Sequence, residues 1–440
     1  MEQEPEQDRA VNTKVHYLDF SQKENFTSSK KIEEASENSA LTTVKKEVFT
    51  LKPSIPVYFI RPVAIKRAAQ FFLQNFQSPS NKSDVLYSVK SNPDVVVLRH
   101  LFDSGIRHFD VASLVEIKLI RELFGKEAKM YFMHPVKSRE SIFEAYYNFE
   151  IRDFSLDSFD ELKKITEVTN NARDLGLHVR LAIPNSHSAI DLSRKFGILP
   201  SKAIALIRKT RMVAKNFGIC FHVGSQCMDP AQYRTALTIT KDLLEKSKVK
   251  LDVLDIGGGF PSSYPGMTPP NLQSYFDEIS DSIAQLNLDS DCRLWCEPGR
   301  ALVAEAGSLL VRVEGRKDNM LFLNDGTYGG LFDAGTPGFI YPTNCFRIKG
   351  KTDLSENKAP FGFYGPTCDS LDVMKGPFQL PENISEGDYI EIGQLGAYSR
   401  SIRTEFNGFD KNLQIEVSDA PLVSMYLESE EQKEEKEISI

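Results

Sequence analysis

The chain has 440 residues, with 53 Lys+Arg against 61 Asp+Glu for a formal net charge of −8, and 41% of its residues are hydrophobic. This composition excludes fibrous, collagenous and wholly disordered chains, and at ordinary domain sizes it accommodates two or three domains or one large barrel with a companion. The acidic balance, with cations interleaved among carboxylates, argues against nucleic-acid binding, which needs clustered Lys and Arg.

No run of about 18 apolar residues occurs, and the charged N-terminus (MEQEPEQDRA) lacks the apolar core of a signal peptide, so a cytoplasmic protein without membrane attachment is expected. Six cysteines, none in a CxxC pair, predict free thiols rather than a disulfide scaffold. Residues 1–45 are polar without sustained period and read as a loosely ordered extension. Phe49–Leu51 and Val57–Ile60 are β-prone, so residues 46–63 are expected to give strands to a later sheet.

Between 64 and 305, eight short apolar runs alternate with amphipathic segments. The runs are Val85–Val89, Ile106–Val111, Met130–Met133, Ile151–Ser155, His178–Ile183, Ile219–Val223, Val253–Ile256 and Arg293–Cys296. Ser113–Leu123, Phe159–Thr169, Pro200–Phe217, Ala231–Lys246 and Leu272–Leu286 between them have helical periodicity. The count and size match a (β/α)8 barrel of the TIM type, with a doubly wound open sheet as the alternative. From 306 to 427 the helices give way to strand-like segments, Ser308–Glu314, Met320–Asn324, Gly387–Ile392 and Leu413–Val417, which predict a mostly β second domain. Residues 428–440 form a charge-dense, solvated tail.

Active sites of such barrels lie on the loops that follow the strands. Here those positions carry Lys90, Asp110, His134, Arg180 within strand five, His222 to Ser225, Gly257-Gly258-Gly259, and Glu297 to Arg300. A lone lysine ending a strand is ordinarily a surface charge, and three glycines ordinarily a turn. Together with Arg300 and Ser225, the glycines after a buried strand make an anion cradle the better reading. A lysine able to form a Schiff base, a phosphate cradle and an acid for a pyridinium nitrogen, here Glu297, are what pyridoxal 5′-phosphate requires of a protein. His222 can lie flat against the ring.

The motifs Tyr87-Ser88-Val89-Lys90-Ser91-Asn92, Phe109-Asp110-Val111-Ala112-Ser113 with Glu116, His222-Val223-Gly224-Ser225, the triple glycine, Cys296-Glu297-Pro298-Gly299-Arg300, Gly365-Pro366-Thr367-Cys368-Asp369, and Gly396-Ala397-Tyr398 with Phe406-Asn407-Gly408-Phe409 run in consistent order from about 55 to 418. This set resembles the ornithine/diaminopimelate/arginine decarboxylase family, which are fold-type III pyridoxal-phosphate enzymes with an alanine-racemase-like architecture. The Gly-Pro-Thr-Cys-Asp and Cys-Glu-Pro-Gly-Arg forms are most similar to ornithine decarboxylases.

The resemblance implies that Lys90 is the Schiff-base lysine, that His222 stacks on the ring and that Glu297 partners the ring nitrogen. It makes Ser225, Gly257, Gly258, Gly259, Arg300 and Tyr398 phosphate-cradle residues, and sets Asp110 and Arg180 beside the cofactor with Glu116 in support. It further implies a homodimer with shared active sites, each receiving Cys368 and Asp369 from the other subunit. An unperturbed thiol, with a pKa of about 8.5, keeps its proton at neutral pH yet can yield it to a carbanion, which makes Cys368 the expected acid. A substrate's distal ammonium needs a carboxylate, and Asp369 and Asp333 are the expected pair. Asp333 follows Asn324-Asp325-Gly326-Thr327-Tyr328-Gly329 at a shorter spacing than in the familiar eukaryotic enzymes.

L-Ornithine, giving putrescine, is the first expected substrate, with lysine, arginine, diaminopimelate or a carboxylated polyamine as rivals. Racemisation and a non-catalytic regulatory homologue are the remaining alternatives. His100, His108, His134, His178 and His187 lack metal-ligand spacing, so no metal is expected. Ser186–Gly197 is read equally as a lid or a plain surface loop.

Overall fold

Eight parallel strands need a hydrogen-bonded neighbour on both sides, and this chain satisfies all of them by closing on itself. The structure is a computed structural model that describes residues 41–78, 82–184, 188–190, 195–348 and 352–426. The barrel strands, first to eighth, are Ser83–Ser88, His108–Val111, Lys129–Phe132, Asp153–Leu156, Gly176–Leu181, Asn216–Phe221, Val253–Asp255 and Arg293–Cys296. The eighth pairs with the first through Leu294–Ser83, Trp295–Asp84 and Cys296–Val85, which excludes the open doubly wound sheet. Every barrel strand expected from the sequence is present, most with shifted ends.

Side chains alternate between two environments along these strands. Tyr87, Phe109, Phe154, Leu177 and Val179 belong to the main core shared with the surrounding helices. Leu86, Tyr131, Met133, Cys220, Val253 and Trp295 form a separate small cluster. The expected helix Pro200–Phe217 ends at Val213, because Ala214 is already extended and Lys215 and Asn216 donate to the Leu175 carbonyl at the start of strand pairing. Phe217 belongs to the sixth strand.

The second sheet has eight strands among the described residues. Six run in the order Thr343–Phe346, Tyr389–Ile392, Gly307–Lys317, Met320–Leu323, Lys358–Tyr364, Val373–Pro381. Val57–Ile60 pairs antiparallel with Gly307–Lys317 and parallel with Leu413–Glu416, so residues before the barrel share a sheet with residues after it. Phe49–Leu51, expected as a strand, instead ends the helix Val44–Leu51. Thr43 caps that helix, Val44 and Val48 are buried one turn apart, and left-handed Lys52 stops it. Most of the expected N-terminal extension and all of the acidic tail lie outside the described residues, as do parts of Ser186–Gly197. None of the six cysteines forms a disulfide among the described residues.

One buried ion pair fastens the sheet where it meets the barrel. Arg61 Nη2 lies 2.5 Å from Glu391 Oε1, with both side chains 2% exposed. Arg61 Nη1 donates to Ser308 Oγ at 2.9 Å and Nε to the Ala420 carbonyl at 3.2 Å. Removing one member strands the other charge in a dry site. Glu391→Ala is therefore expected to cost roughly 3–5 kcal/mol, measured by urea unfolding.

The last described segment docks through another buried carboxylate. Glu305 accepts the Met425 N–H and the Ser424 hydroxyl, while Tyr426 Oη donates to the Ala301 carbonyl at 2.7 Å. Burial, only partly offset by these bonds, pushes the Glu305 carboxyl up to about 7. The folded state then holds a proton that the unfolded chain releases near pH 4.5. Stability from this group is full below that pH and lost as pH rises towards 7, on the order of 3 kcal/mol. Urea titrations across this window are expected to show a flatter pH profile for Glu305→Gln than for wild type.

Candidate active site

The first barrel strand runs into a tight turn, Val89–Ser91, that carries Lys90 at the rim. Lys90 Nζ donates to Asp110 Oδ2 at 3.1 Å, and Ser88 Oγ donates to the same oxygen at 2.8 Å. Asp110 is buried, whereas the Lys90 side chain is 43% exposed, so the amine is anchored from below and open to the rim. Burial pulls the Lys90 ammonium down, but Asp110, Tyr398 and Glu297 outweigh it and the net direction is upward. Behind Asp110, Ser113 caps the next helix and Glu116 Oε2 accepts the Ala112 N–H at 2.6 Å, which stiffens the turn.

Glu297 directly follows the eighth strand and is buried, with Oε1 lacking a hydrogen-bond partner among the described residues. Burial first, then the neighbouring carboxyls of Asp255 and Asp110, push its pKa well up. Asp255, fully buried on the seventh strand, accepts the Gly257 N–H at 2.8 Å through Oδ1 and is also raised by burial. These two adjacent acids therefore favour holding a proton between them. Sequence reasoning assigned Asp255 no role, since an acid preceding the glycines shows its burial only in three dimensions.

His222 Nδ1 accepts the Gly224 N–H at 3.0 Å, which leaves the ring proton of the neutral tautomer on Nε2. Burial, then Arg180 and Lys90, push its pKa well below the usual range, so the ring is neutral. The adjacent glycine turn tolerates no side chain. At Gly257, where φ is +68°, a Cβ would come within 1.9 Å of the Phe221 carbonyl oxygen. At Gly258 it would meet the Glu297 carbonyl oxygen at 2.5 Å, and at Gly259 the Gly224 carbonyl oxygen at 2.7 Å. The carbonyls of Gly257, Gly258 and Gly259 are taken by Glu297 N, Tyr233 Oη and Cys227 N. Gly257 spends its N–H on Asp255, which leaves Gly258 and Gly259 as the better placed cradle donors.

Arg300 is buried. Its Nη1 donates to Tyr264 Oη at 2.9 Å and its Nη2 to Asp333 Oδ2 at 3.1 Å, while Nε has no partner among the described residues. Its guanidinium carbon lies 4.9 Å from the Tyr398 ring centre, and Tyr398 N donates to the Ser91 carbonyl at 2.9 Å, tying this group to the Lys90 turn. Ser225 opens the short strand Ser225–Cys227, and the Arg180 guanidinium carbon lies 5.7 Å from the Phe196 ring centre. Asp333, expected at the substrate, is buried in the turn Phe332–Ala334 with Oδ2 on Arg300.

Cys368 and Asp369 belong to a different neighbourhood. Cys368 is exposed, and both its N–H and its Sγ–H donate to Asn407 Oδ1, at 3.3 and 3.4 Å. Asp369 accepts the Tyr328 hydroxyl and, at 3.0 Å, the Leu371 N–H; the Tyr328 bond holds its carboxyl below the usual range. None of these bonds reaches the Lys90 group. Asn407 and Tyr328 lay inside recognised motifs, yet nothing in the sequence paired them with Cys368 and Asp369. Among the described residues the other histidines have structural partners: His178 Nε2 lies 3.0 Å from Asp153, His108 Nε2 3.3 Å from Asp84, His100 meets Glu416, and His134 Nδ1 accepts the Val136 N–H at 3.2 Å, while His187 lies outside the described residues.

The donor set fits pyridoxal phosphate. Glu297 Oε1 is a buried acceptor suited to a ring N–H, and Arg300 Nε is a buried donor suited to an anion. Comparison with known proteins agrees. The model of the pyridoxal-binding domain of pyridoxal-dependent decarboxylases matches residues 63–304. The chain is 32% identical over 373 residues to the lysine/ornithine decarboxylase of Selenomonas ruminantium, covering 83% of this chain and 91% of that one. It is 33% identical over 354 residues to the ornithine decarboxylase of the nematode Panagrellus redivivus, covering 74% and 78%. The crystal structure of a lysine/ornithine decarboxylase from Vibrio vulnificus, complexed with putrescine, superposes with a TM-score of 0.70 at 26% identity, covering 85% and 96%.

The glycine turn supplies a direct check. Gly266 also has positive φ, +79°, but nothing lies within 4 Å of a Cβ there. Gly266→Ala should cost about 1 kcal/mol from left-handed strain alone. Gly257→Ala adds the clash with Phe221 and should cost more than about 2 kcal/mol and weaken pyridoxal phosphate binding, measured by urea unfolding and cofactor titration.

Proposed function

Because the chain belongs to the pyridoxal-dependent decarboxylases, we propose that it removes the α-carboxylate of a basic L-amino acid, converting L-ornithine to putrescine and carbon dioxide, with lysine as the competing substrate. The observation that carries this reading is the anchored Lys90 amine on the same rim as the buried, unpartnered carboxyl oxygen of Glu297. Bound pyridoxal phosphate supplies the sink for the electron pair left at Cα when carbon dioxide departs.

The protein's own residues do the rest. Lys90 holds the cofactor and yields it to the substrate amine, with Asp110 steadying the ammonium between turnovers. Glu297 keeps the ring nitrogen protonated. Neutral His222 offers a flat face without adding positive charge beside Lys90 and Arg180. Arg300, Ser225, Tyr398 and the Gly258 and Gly259 amides hold the phosphate. Asp333 fixes Arg300 at the phosphate end of the site.

Two further roles complete the reaction. Asp369 receives the substrate's distal ammonium, and its preference for the ionised form suits that role. Cys368 delivers the proton to Cα, its S–H already oriented by Asn407. We infer a homodimer in which each subunit's Cys368 and Asp369 complete the other's site. The exposure of Cys368 and its separate bonding supports this, as do the exposed apolar side chains of Leu371, Phe406 and Phe409 in the same stretches of chain. No described helix is long and apolar enough to cross a membrane; the putrescine formed would feed polyamine synthesis.

The test is carbon dioxide release from ornithine, lysine, arginine and diaminopimelate. Ornithine should be fastest, and Cys368→Ala should keep the cofactor's visible absorption while losing most putrescine formation. Equal rates on ornithine and lysine would make the single-substrate reading too narrow. No release from any of the four by the cofactor-loaded protein would reject it.

A further inference from the structure

Asp372 lies three residues beyond Asp369 and is 2% exposed. No ion pair neutralises it among the described residues, yet a buried carboxylate is stable only when donors saturate it. Two threonines provide four. Asp372 Oδ1 accepts the Thr327 N–H at 2.8 Å and the Thr327 hydroxyl at 3.0 Å. Asp372 Oδ2 accepts the Thr367 N–H at 3.1 Å and the Thr367 hydroxyl at 2.8 Å.

These threonines belong to two different turns, one preceding Tyr328 and the other preceding Cys368. Backbone bonds close the arrangement: Asp372 N donates to the Asp369 carbonyl at 3.0 Å, and Gly365 N donates to the Asp372 carbonyl at 2.9 Å. A Cβ on Gly326 would come within 2.2 Å of Asp372 Oδ1, and one on Gly365 within 2.1 Å of the same oxygen, so both turns are glycine where they wrap this carboxylate. The same two turns meet again where Tyr328 Oη donates to Asp369.

We propose that Asp372 is a positioning residue: through Thr327 and Thr367 it locks the two turns together and so sets where the Asp369 carboxylate and the Cys368 thiol stand. The inference rests on reading Asp369 and Cys368 as substrate-facing. It deepens that reading, because neither residue is braced by the barrel that holds Lys90.

The test is Asp372→Asn in the cofactor-loaded full-length enzyme. The amide keeps the shape but turns an NH2 group towards groups that already donate. KM for ornithine should rise about tenfold or more, and the preference for ornithine over lysine should narrow, as expected for lost hydrogen bonds to a charged group. Visible absorption should stay as in wild type, since Asp372 touches neither Lys90 nor Arg300. Thr367→Val, which removes one hydroxyl donor, should move KM the same way by less, and it carries the test if Asp372→Asn does not fold.

Wild-type KM and selectivity in folded Asp372→Asn, or in Thr367→Val if only that variant folds, would overturn the proposal. So would loss of cofactor absorption alongside activity, which marks a general structural role. Asp369→Ala separates the two levels. A raised KM there with an unchanged Asp372→Asn rejects the positioning role alone, whereas an unchanged KM in Asp369→Ala rejects the substrate-facing reading beneath it.

Discussion

Parallel closure of the barrel is the constraint on which the site depends. All eight strands point the same way, and the pairing of Leu294 with Ser83 joins the last to the first. The C-terminal ends of strands far apart in sequence therefore share one rim. Asp110, His222, the glycine turn and Glu297 reach the neighbourhood of Lys90 for that reason, although they span some two hundred residues of chain. The ladder bonds position the backbone, and short polar contacts such as Lys90 to Asp110 and Gly224 N to His222 Nδ1 orient the side chains.

Burial then tunes what these groups do. Glu297 and Asp255 are pushed towards their protonated forms and His222 towards its neutral form, whereas Asp110 leads in holding the Lys90 ammonium against the same desolvation. One rim thus offers a proton-holding acid, a neutral aromatic face and a masked amine within a single electrostatic environment. The Cys368–Asp369 pair follows different physics: Cys368 is exposed and Asp369 half-buried, the two are braced by hydrogen bonds to Asn407 and Tyr328, and the buried Asp372 carboxylate lies beneath them. The Lys90 rim and the Cys368–Asp369 turn are thus braced by separate sets of contacts.

The strands were legible because each is a short apolar run ending in a distinctive polar residue, and Lys90, His222 and Glu297 stood out for that reason. Closure was not legible, since periodicity records which face is apolar and not which strand is the neighbour. Phe49–Leu51 misled because three β-prone residues hid the Val44 and Val48 spacing that makes the segment a helix. Phe217 was drawn into a helix by its spacing although strand six claims it. Asp255 and Asp372 were given no role, and Asn407 was noted only as part of a motif, because an acid or amide reveals its role only through what surrounds it. The bond from Arg300 to Asp333 links positions 33 residues apart, and no local pattern encodes it.

The central claim is that the amine at the end of the first barrel strand carries the aldehyde cofactor. Borohydride reduction of the holoenzyme, followed by proteolysis and peptide mapping, tests it most directly. The account predicts a single pyridoxyl label on Lys90; a label on any other lysine, or none, would contradict it.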